Sequence, residues 1–557
     1  MLQTPPKKDL WDLCIGLFPY MKQFKLSPQQ IIEKIIIFHQ PKNESLIAWI
    51  SVAGPYLNLK LHKTFYAEMF WDFFLQKKYL KNGEKKETII VDYIGANVGK
   101  PLHIWHICTP LQWQTCCNLL RKQWYKVIWD SHIWDWWIIF WKLIIWYSYY
   151  WDDTKIAENA VEHLFEIYVK ISSDAENNTE LEQQFRDAFK LLSSGDPQSI
   201  ALWKKFTSFS IESMNLLLRR LFVSPDYNIW ESFYEWLALP KLEDYPDLRY
   251  PMHEIVDELI AKWIATKNDD NSVGVIFPEW SKIPSCILQK RDGTHGYLAS
   301  DLACIKYRIE NWNPSKIIYF VDMRQQLHFK QAFAIAKQAW WLNGTELIHA
   351  ANGFISLKDG AMSTRKWRII KLWLLLDEAH SRAKKIIQEK RSDIWDIELQ
   401  WLAEKVWIGA IKYGYLKKSR ELDSVFDWDE YMNFEGNSGP YIQYAYVRAV
   451  KILRQADIND FSDIRFEFTL EREKQFVQKL LDYPSIIEEI SRNYSFHKLC
   501  LYLYELTKIF SSYYTEAPIL WEDNISLRTS RCALLQCFTE IIEDWFWILG
   551  IELPYEM

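Results

Sequence analysis

Apolar spacing changes several times along the chain, and each change marks a change of architecture. Between Ile50 and Leu61 apolar and polar positions alternate around Gly54-Pro55, which predicts two strands joined by a tight turn. A helical pattern precedes this pair, so residues 1–86 are expected to form a small α/β domain ending in the charged link Lys81-Asn-Gly-Glu-Lys-Lys86. The rhythm then becomes strand–helix–strand: Thr88–Tyr93, a loop to His103, a helix to Gln123 and a strand Tyr125–Ile128. Such alternation builds a parallel, Rossmann-like sheet. From Asp152 to about Leu221 the pattern is helical, with a polar break at Ser172–Thr179 and a Ser194-Gly-Asp-Pro197 turn, and it reads as an insertion. The α/β pattern resumes with Val273–Phe277 and the buried strand Lys316–Val321. Beyond about residue 375 helices dominate, expected at Leu374–Ile387, Ile397–Ile411, Tyr441–Leu453, Leu470–Ile490 and His497–Tyr513. The expected fold is an α/β Rossmann-like domain (87–375) with a helical insertion (about 152–221), a small α/β N-terminal domain (1–86) and a C-terminal α-helical bundle (376–557).

Composition narrows the class. The charge of −6, with 25% charged residues, gives no global basic excess, so any RNA contact must come from local patches. The nine cysteines form no CxxC pair and no Cys/His cluster with zinc spacing, which favours reduced thiols and no metal site in the protein. The N-terminus lacks the apolar core of a signal peptide. The most apolar run, Ile133–Trp146, contains Asp135 and Lys142 and is too short to span a bilayer. A cytoplasmic protein without a membrane partner is expected.

Tryptophan and glycine are out of balance. The 557 residues include 30 Trp and 17 Gly, where average usage would give roughly 39 Gly. Several Trp stand where the backbone favours glycine. Trp124 follows the basic helix end Leu119-Leu-Arg-Lys-Gln123, a place usually left-handed and strained for any residue with a Cβ. Trp129 lies between Val127-Ile128 and Asp130. Overfilling a packed site costs about 1–3 kcal/mol, and a domain's whole margin is about 5–15 kcal/mol, so a handful of such sites would consume it. We read many of these Trp as one codon decoded as glycine in the organism; UGA, one letter from a glycine codon, would do this. The alternative is a Trp-rich degenerate paralogue.

The densest chemistry is Asp92-Tyr-Ile-Gly-Ala-Asn97-Val-Gly-Lys100-Pro-Leu-His103-Ile-Trp105-His106. Two imidazoles at the start of a helix after a strand suit the negative charge of a phosphate, and Lys100 adds a full positive charge. A metal pair or solvent-facing histidines would fit the spacing alone. The whole stretch resembles the ATP site of class I aminoacyl-tRNA synthetases, which read His-Ile-Gly-His, and among these the arginyl-tRNA synthetases, where Asn and often Lys-Pro precede the histidines. Other segments extend the resemblance along nearly the whole chain. Ser131-His-Ile-Trp134-Asp135-Trp136-Trp137-Ile-Ile-Phe-Trp141 is similar to the family's Gly-Asp-Trp-Gly…Gly if Trp134, Trp137 and Trp141 replace glycine and Trp136 is a true Trp. Met362-Ser363-Thr364-Arg365-Lys366 resembles the family's phosphate-clamping loop, with Trp367 where the family has glycine. The two lysines of the general class I form are missing, since Ala361 and Thr364 take their places; Lys100 is the implied substitute for one, with Arg365 and Lys366 within reach.

The resemblance also implies an arginine pocket. A guanidinium is a planar cation with five donors and needs carboxylates and carbonyl-type acceptors in fixed places. Asp92 and Asn97, Tyr297 and Asp301 of Arg291-Asp-Gly-Thr-His-Gly-Tyr297-Leu-Ala-Ser-Asp301, and Gln325 of Val321-Asp-Met-Arg-Gln-Gln-Leu-His328-Phe match the family's positions. Glu435-Gly-Asn-Ser-Gly-Pro-Tyr441-Ile-Gln-Tyr444 resembles the start of its anticodon-binding helices, where Tyr441 and Tyr444 would meet unstacked bases. Met557 closes a segment like the family's C-terminus, near the anticodon, and residues 1–86 resemble its appended tRNA-contacting domain. The implied function is ATP-dependent activation of L-arginine and its transfer to tRNA(Arg), with Mg²⁺ accompanying the nucleotide, tRNA bound before activation, and a monomer as the working unit. Two alternatives stay open: a catalytically inactive tRNA-binding paralogue if Trp105 is physically present, and a class I synthetase for another amino acid. The acidic pair Asp92 and Asp301 and the Met-Ser-Thr-Arg loop speak against the second.

Overall fold

The computed structural model describes residues 2–3, 12–38, 47–77, 86–93, 98–133, 135, 142–145, 147, 150–175, 178–193, 195–234, 250–357, 371–458, 460–461 and 466–557. The chain divides into two compact units, one of residues 1–81, 445–486 and 502–543 and the other of 82–444, 487–501 and 544–557.

In the second unit five strands form a parallel sheet. From one edge to the other they are Glu346–His349, Lys316–Phe320, Thr88–Tyr93, Lys126–Ser131 and Tyr227–Asn228. Thr88–Tyr93 carries Ile89, Ile90 and Val91 fully buried, as expected of a strand covered on both faces. Its register sets Asp92 beside Asp130 on one neighbour and Tyr319 on the other. The chain leaves Thr88–Tyr93 toward one side of the sheet and later returns on the other, so the strand order reverses there. In open α/β sheets ligands bind outside the carboxyl ends of the strands at such a point.

The expected elements are present with moved borders. The strand expected at 125–128 runs Lys126–Ser131. The insertion consists of the helices Asp153–Asp174, Thr179–Ser193 and Pro197–Arg220. Asp196 caps the last by accepting from the Ser199 amide at 2.8 Å, and Pro197 sits where a missing N–H costs nothing. Of the C-terminal helices, the one expected over 470–490 is two, Glu471–Leu481 and Tyr483–Asn493. Pro484 explains the break, because a proline opens a helix far more easily than it continues one. The helix Ile525–Leu549 has no counterpart among the expected elements.

In the first unit the hairpin Ile47–Ala53/Tyr56–Leu61 is extended by Leu13–Gly16 into an antiparallel sheet. Its core is Leu17, Ile31, Ile32, Leu57 and Leu59. Asp12 ties this sheet to the helix Glu471–Leu481, accepting from Gln478 Nε2 at 2.8 Å and pairing with Lys474 Nζ at 3.1 Å. Among the described residues no helix is long and apolar enough to cross a membrane.

Candidate functional site

The carboxyl end of Thr88–Tyr93 leads through residues outside the description to Val98–Lys100, then to a short 3-10 turn Ile104–Ile107 and the helix Cys108–Lys122. His103 opens this turn. Its backbone N–H donates to His106 Nδ1 at 3.0 Å, and its carbonyl accepts from the His106 amide at 2.8 Å. The two rings lie 3.9 Å apart between centroids. With Nδ1 used as an acceptor, a neutral His106 carries its proton on Nε2 and can donate there. Burial, with Lys100 second, lowers His103 to about 4. Burial also sets His106 well below the usual histidine range, with the neighbouring His103 adding to the effect. Both rings are therefore neutral donors near pH 7. Lys100 Nζ stands 4.6 Å over the ring of Tyr168, on the insertion's first helix.

Trp105 occupies the middle of this element. Its ring lies 4.7 Å from that of His103 and 4.4 Å from that of Phe354. The phosphate-loop candidates Met362, Ser363, Thr364, Arg365 and Lys366 lie outside the described residues, as do Asn97, Trp134, Trp136, Trp137, Trp141 and Trp367. The chain re-enters the description at Lys371, which bridges to His103, and the Leu372 amide donates to the Leu102 carbonyl at 2.8 Å.

A second group surrounds Asp92. Arg308, fully buried, donates through Nη1 to Asp92 and through Nε (2.8 Å) and Nη2 (2.5 Å) to Asp130 Oδ2. Burial pushes Asp92 up to about 7, against the pull of Arg308 and helped by Asp130. Asp92 is thus already engaged by an internal guanidinium. Asp301 differs. It sits on the helix Tyr297–Trp312, which follows the Asp292-Gly-Thr294 turn, where Asp292 Oδ1 accepts from Thr294 Oγ1 at 2.7 Å. Its Oδ2 lies 2.5 Å from His328 Nε2, and its Oδ1 lies 4.0 Å from His132 Nε2. Burial raises the Asp301 carboxyl, but His328, then His132 and Arg308, prevail and hold it below the usual range. His328 moves the other way: burial lowers it, and Asp301 outweighs burial and raises it.

Tyr297 is 42% exposed at the head of the same helix. Burial, then Glu231, pushes its hydroxyl up to about 12. Gln325 is half-buried in the turn after Asp322, whose carboxylate accepts from the Arg324 amide at 2.8 Å. Tyr441 is half-buried, Tyr444 is 48% exposed, and Met557 is half-buried. Sequence reading singled out neither Arg308 and Asp130 nor His132. His328 stood in a quoted motif that offered only Gln325 as a ligand. The pairing of Asp92 with a cation 216 positions away has no signature in local pattern.

Residues 72–428 match the family of class I tRNA synthetase (R) catalytic domains. Residues 442–557 match the DALR anticodon-binding domain, and residues 1–61 match the arginyl-tRNA synthetase N-terminal domain. The arginine–tRNA ligase of Fusobacterium nucleatum is 34% identical over 504 residues, 88% of this chain and 85% of that protein. That of Clostridium perfringens is 31% identical over 576 residues, 100% and 96% of the two chains. In fold the chain is similar to the arginyl-tRNA synthetase of Plasmodium falciparum (TM-score 0.79, 22% identity, 100% of this chain and 95% of that one). It is similar also to that of Thermus thermophilus (TM-score 0.76, 19% identity, 100% and 96%). The chain belongs to the arginyl-tRNA synthetases, class I enzymes that ligate arginine to tRNA.

Proposed function

We propose that the two groups of residues divide the ligation between them. ATP lies along His103–His106, with its α-phosphate at the donors of the two imidazoles and at the start of the helix Cys108–Lys122, and with Lys100 and the 362–366 loop at the outer phosphates. Arginine lies with its guanidinium at Asp301, Tyr297 and Gln325, and Asn97 contributes from the loop after the first strand. Asp92, assigned to the guanidinium by resemblance, serves instead through Arg308, as part of the frame that fixes the strand ends. The arginine carboxylate attacks the α-phosphorus, pyrophosphate leaves, and the terminal ribose 2′-OH of tRNA(Arg) then takes the arginyl group from the adenylate. Both steps rest on positioning and on donors aimed at developing negative charge. Mg²⁺ enters with the nucleotide, held mainly by phosphate oxygens.

The observation that carries this reading is the bond from the His103 amide to His106 Nδ1, which leaves the other ring nitrogen as the donor. Residues 1–86 contact the tRNA, 87–375 carry the chemistry, and 376–557 read the anticodon, with Tyr441, Tyr444 and Met557 at the bases. The enzyme works as a cytoplasmic monomer. Isotope exchange between pyrophosphate and ATP tests the scheme. We expect exchange that needs arginine and tRNA(Arg) together. Exchange with arginine and ATP alone would remove the tRNA-first order, and exchange driven by another amino acid would remove the arginine pocket. Sedimentation with and without tRNA reads the oligomeric state.

A further inference from the structure

Helices often end on a residue in the left-handed region, and glycine is favoured there because a Cβ is strained. Three helices of this chain end in that way on tryptophan. After Cys108–Lys122, Trp124 has φ +65°, its amide donates to Arg121 (2.9 Å) and the Tyr125 amide donates to Leu120 (3.2 Å). After Met252–Ala261, Trp263 has φ +60°, with amide bonds from Trp263 to Ile260 and from Ile264 to Leu259, both 2.9 Å. After Gln326–Gln338, Trp340 has φ +60°, with bonds from Trp340 to Lys337 and from Trp341 to Ala336, both 3.2 Å. In each case the same two bonds close the last turn. Two glycines close helices identically: Gly195 at φ +89°, with bonds to Leu192 and from Asp196 to Leu191, and Gly550 at φ +64°, with bonds to Trp547 and from Ile551 to Phe546.

Packing does not compensate the tryptophans. Trp124, Trp263 and Trp340 are 60%, 94% and 91% exposed, although an indole normally finds cover. Phe222 shows the contrast. It closes Pro197–Arg220 at φ +52° by the same pair of bonds, but it is only 40% exposed, so its ring gains burial. At the candidate ATP element the misfit takes another form: Trp105 Nε1 is buried with no hydrogen-bond partner among the described residues.

We infer that residues 105, 124, 263 and 340, printed as tryptophan, are glycine in the protein its own host makes, because one codon written as tryptophan is decoded there as glycine. The three helix ends carry this from backbone geometry alone. Residue 105 rests in addition on the placement of ATP proposed above: glycine there leaves the space between His103 and Phe354 open to the nucleotide's base, and tryptophan fills it.

The test is tandem mass spectrometry of peptides spanning these positions, from the protein purified from its native host. Glycine at all four is the expected result. Tryptophan at 124, 263 or 340 would overturn the inference for the fold, and tryptophan at 105 alone would overturn it for the ATP site. A recombinant pair gives an independent reading: the chain as printed, and the same chain with W124G, W263G and W340G. The triple variant is expected to melt several degrees higher; an equal or lower melting temperature would count against glycine at the helix ends. Adding W105G is expected to restore pyrophosphate exchange that the printed chain lacks. Full exchange by the printed chain would refute glycine at 105 while leaving the function intact, and glycine at all four positions in a protein inactive in exchange would refute the proposed function instead.

Discussion

Beside the end of the first parallel strand, His103 and His106 are kept uncharged, whereas Asp92 is held against the Arg308 guanidinium and Asp301 against the His328 ring. On the proposed placement of the substrates, the contrast follows from what each side has to receive. A triphosphate brings its own charge, so neutral donors already turned toward it need no counter-charge in the empty site. A guanidinium needs a carboxylate, and a buried carboxylate without a partner is costly. The chain handles this in two ways. Arg308 holds Asp92 from inside the fold, while His328 meets Asp301 from a half-buried position. On the proposed scheme Asp92 belongs to the frame and Asp301 to the ligand site, and kinetic tests with glycine at 105, beside stability tests, separate the two.

The largest effect belongs to the frame. Arg308→Met leaves Asp92 and Asp130 buried side by side without their shared cation, and breaking a buried pair in this way costs about 3–5 kcal/mol. Urea unfolding of the two proteins should show that loss, with the arginine KM of the surviving folded enzyme little changed. A large rise in arginine KM with unchanged stability would move Asp92 back to the ligand side. Next comes the neutral side. His106→Ala removes a donor aimed at the α-phosphate, and losing one such donor lowers kcat by roughly 10²- to 10³-fold. The melting temperature should fall only slightly, because the change leaves one part-buried donor, the His103 amide, without its acceptor. Asp301→Asn is expected to raise the arginine KM by roughly 10- to 100-fold, the cost of losing a charged hydrogen bond, with a much smaller change for ATP. Equal changes for both substrates would mean that Asp301 only supports the fold.

These roles were legible in the sequence to different degrees, for physical reasons. The strand Thr88–Tyr93 and the turn to His103–His106 show themselves locally, as an apolar run followed by polar residues that open a helix. The helix break at Pro484 is equally local but lay within one long apolar pattern. The helix Ile525–Leu549 escaped because it buries residues on most of its faces and offers no clean polar stripe to count. The division between Asp92 and Asp301 could not be read at all. Both are acids in matching motifs, and only the fold brings Arg308 to one and His328 to the other.

The smallest effect is also the sharpest test of replaceability. If arginine displaces His328 from Asp301, a protonated His328 competes with the guanidinium and a neutral one yields. The titratable and charged groups around His328 are Asp301, with His132 and Arg308 beyond it, and His349. Burial lowers both His132 and His349, so His328 is the histidine of this cluster shifted toward its protonated form. Its pKa is raised above 6.5, because Asp301 outweighs burial. The arginine KM should therefore rise a few-fold as pH falls from roughly 8 to 6, and the slope should disappear in His328→Gln. Stability should run the opposite way. The folded state binds this proton more tightly than the unfolded one, so the His328 contribution is complete below about pH 6.5 and is lost as pH rises through the raised value. His103, lowered to about 4, gives the reverse sign, since unfolding takes up its proton first and stability falls as pH drops from 6.5 toward 4. Melting curves of His328→Gln and His103→Asn across this range should bend in opposite directions relative to the parent. If they bend together, the two sides of the site do not handle charge differently.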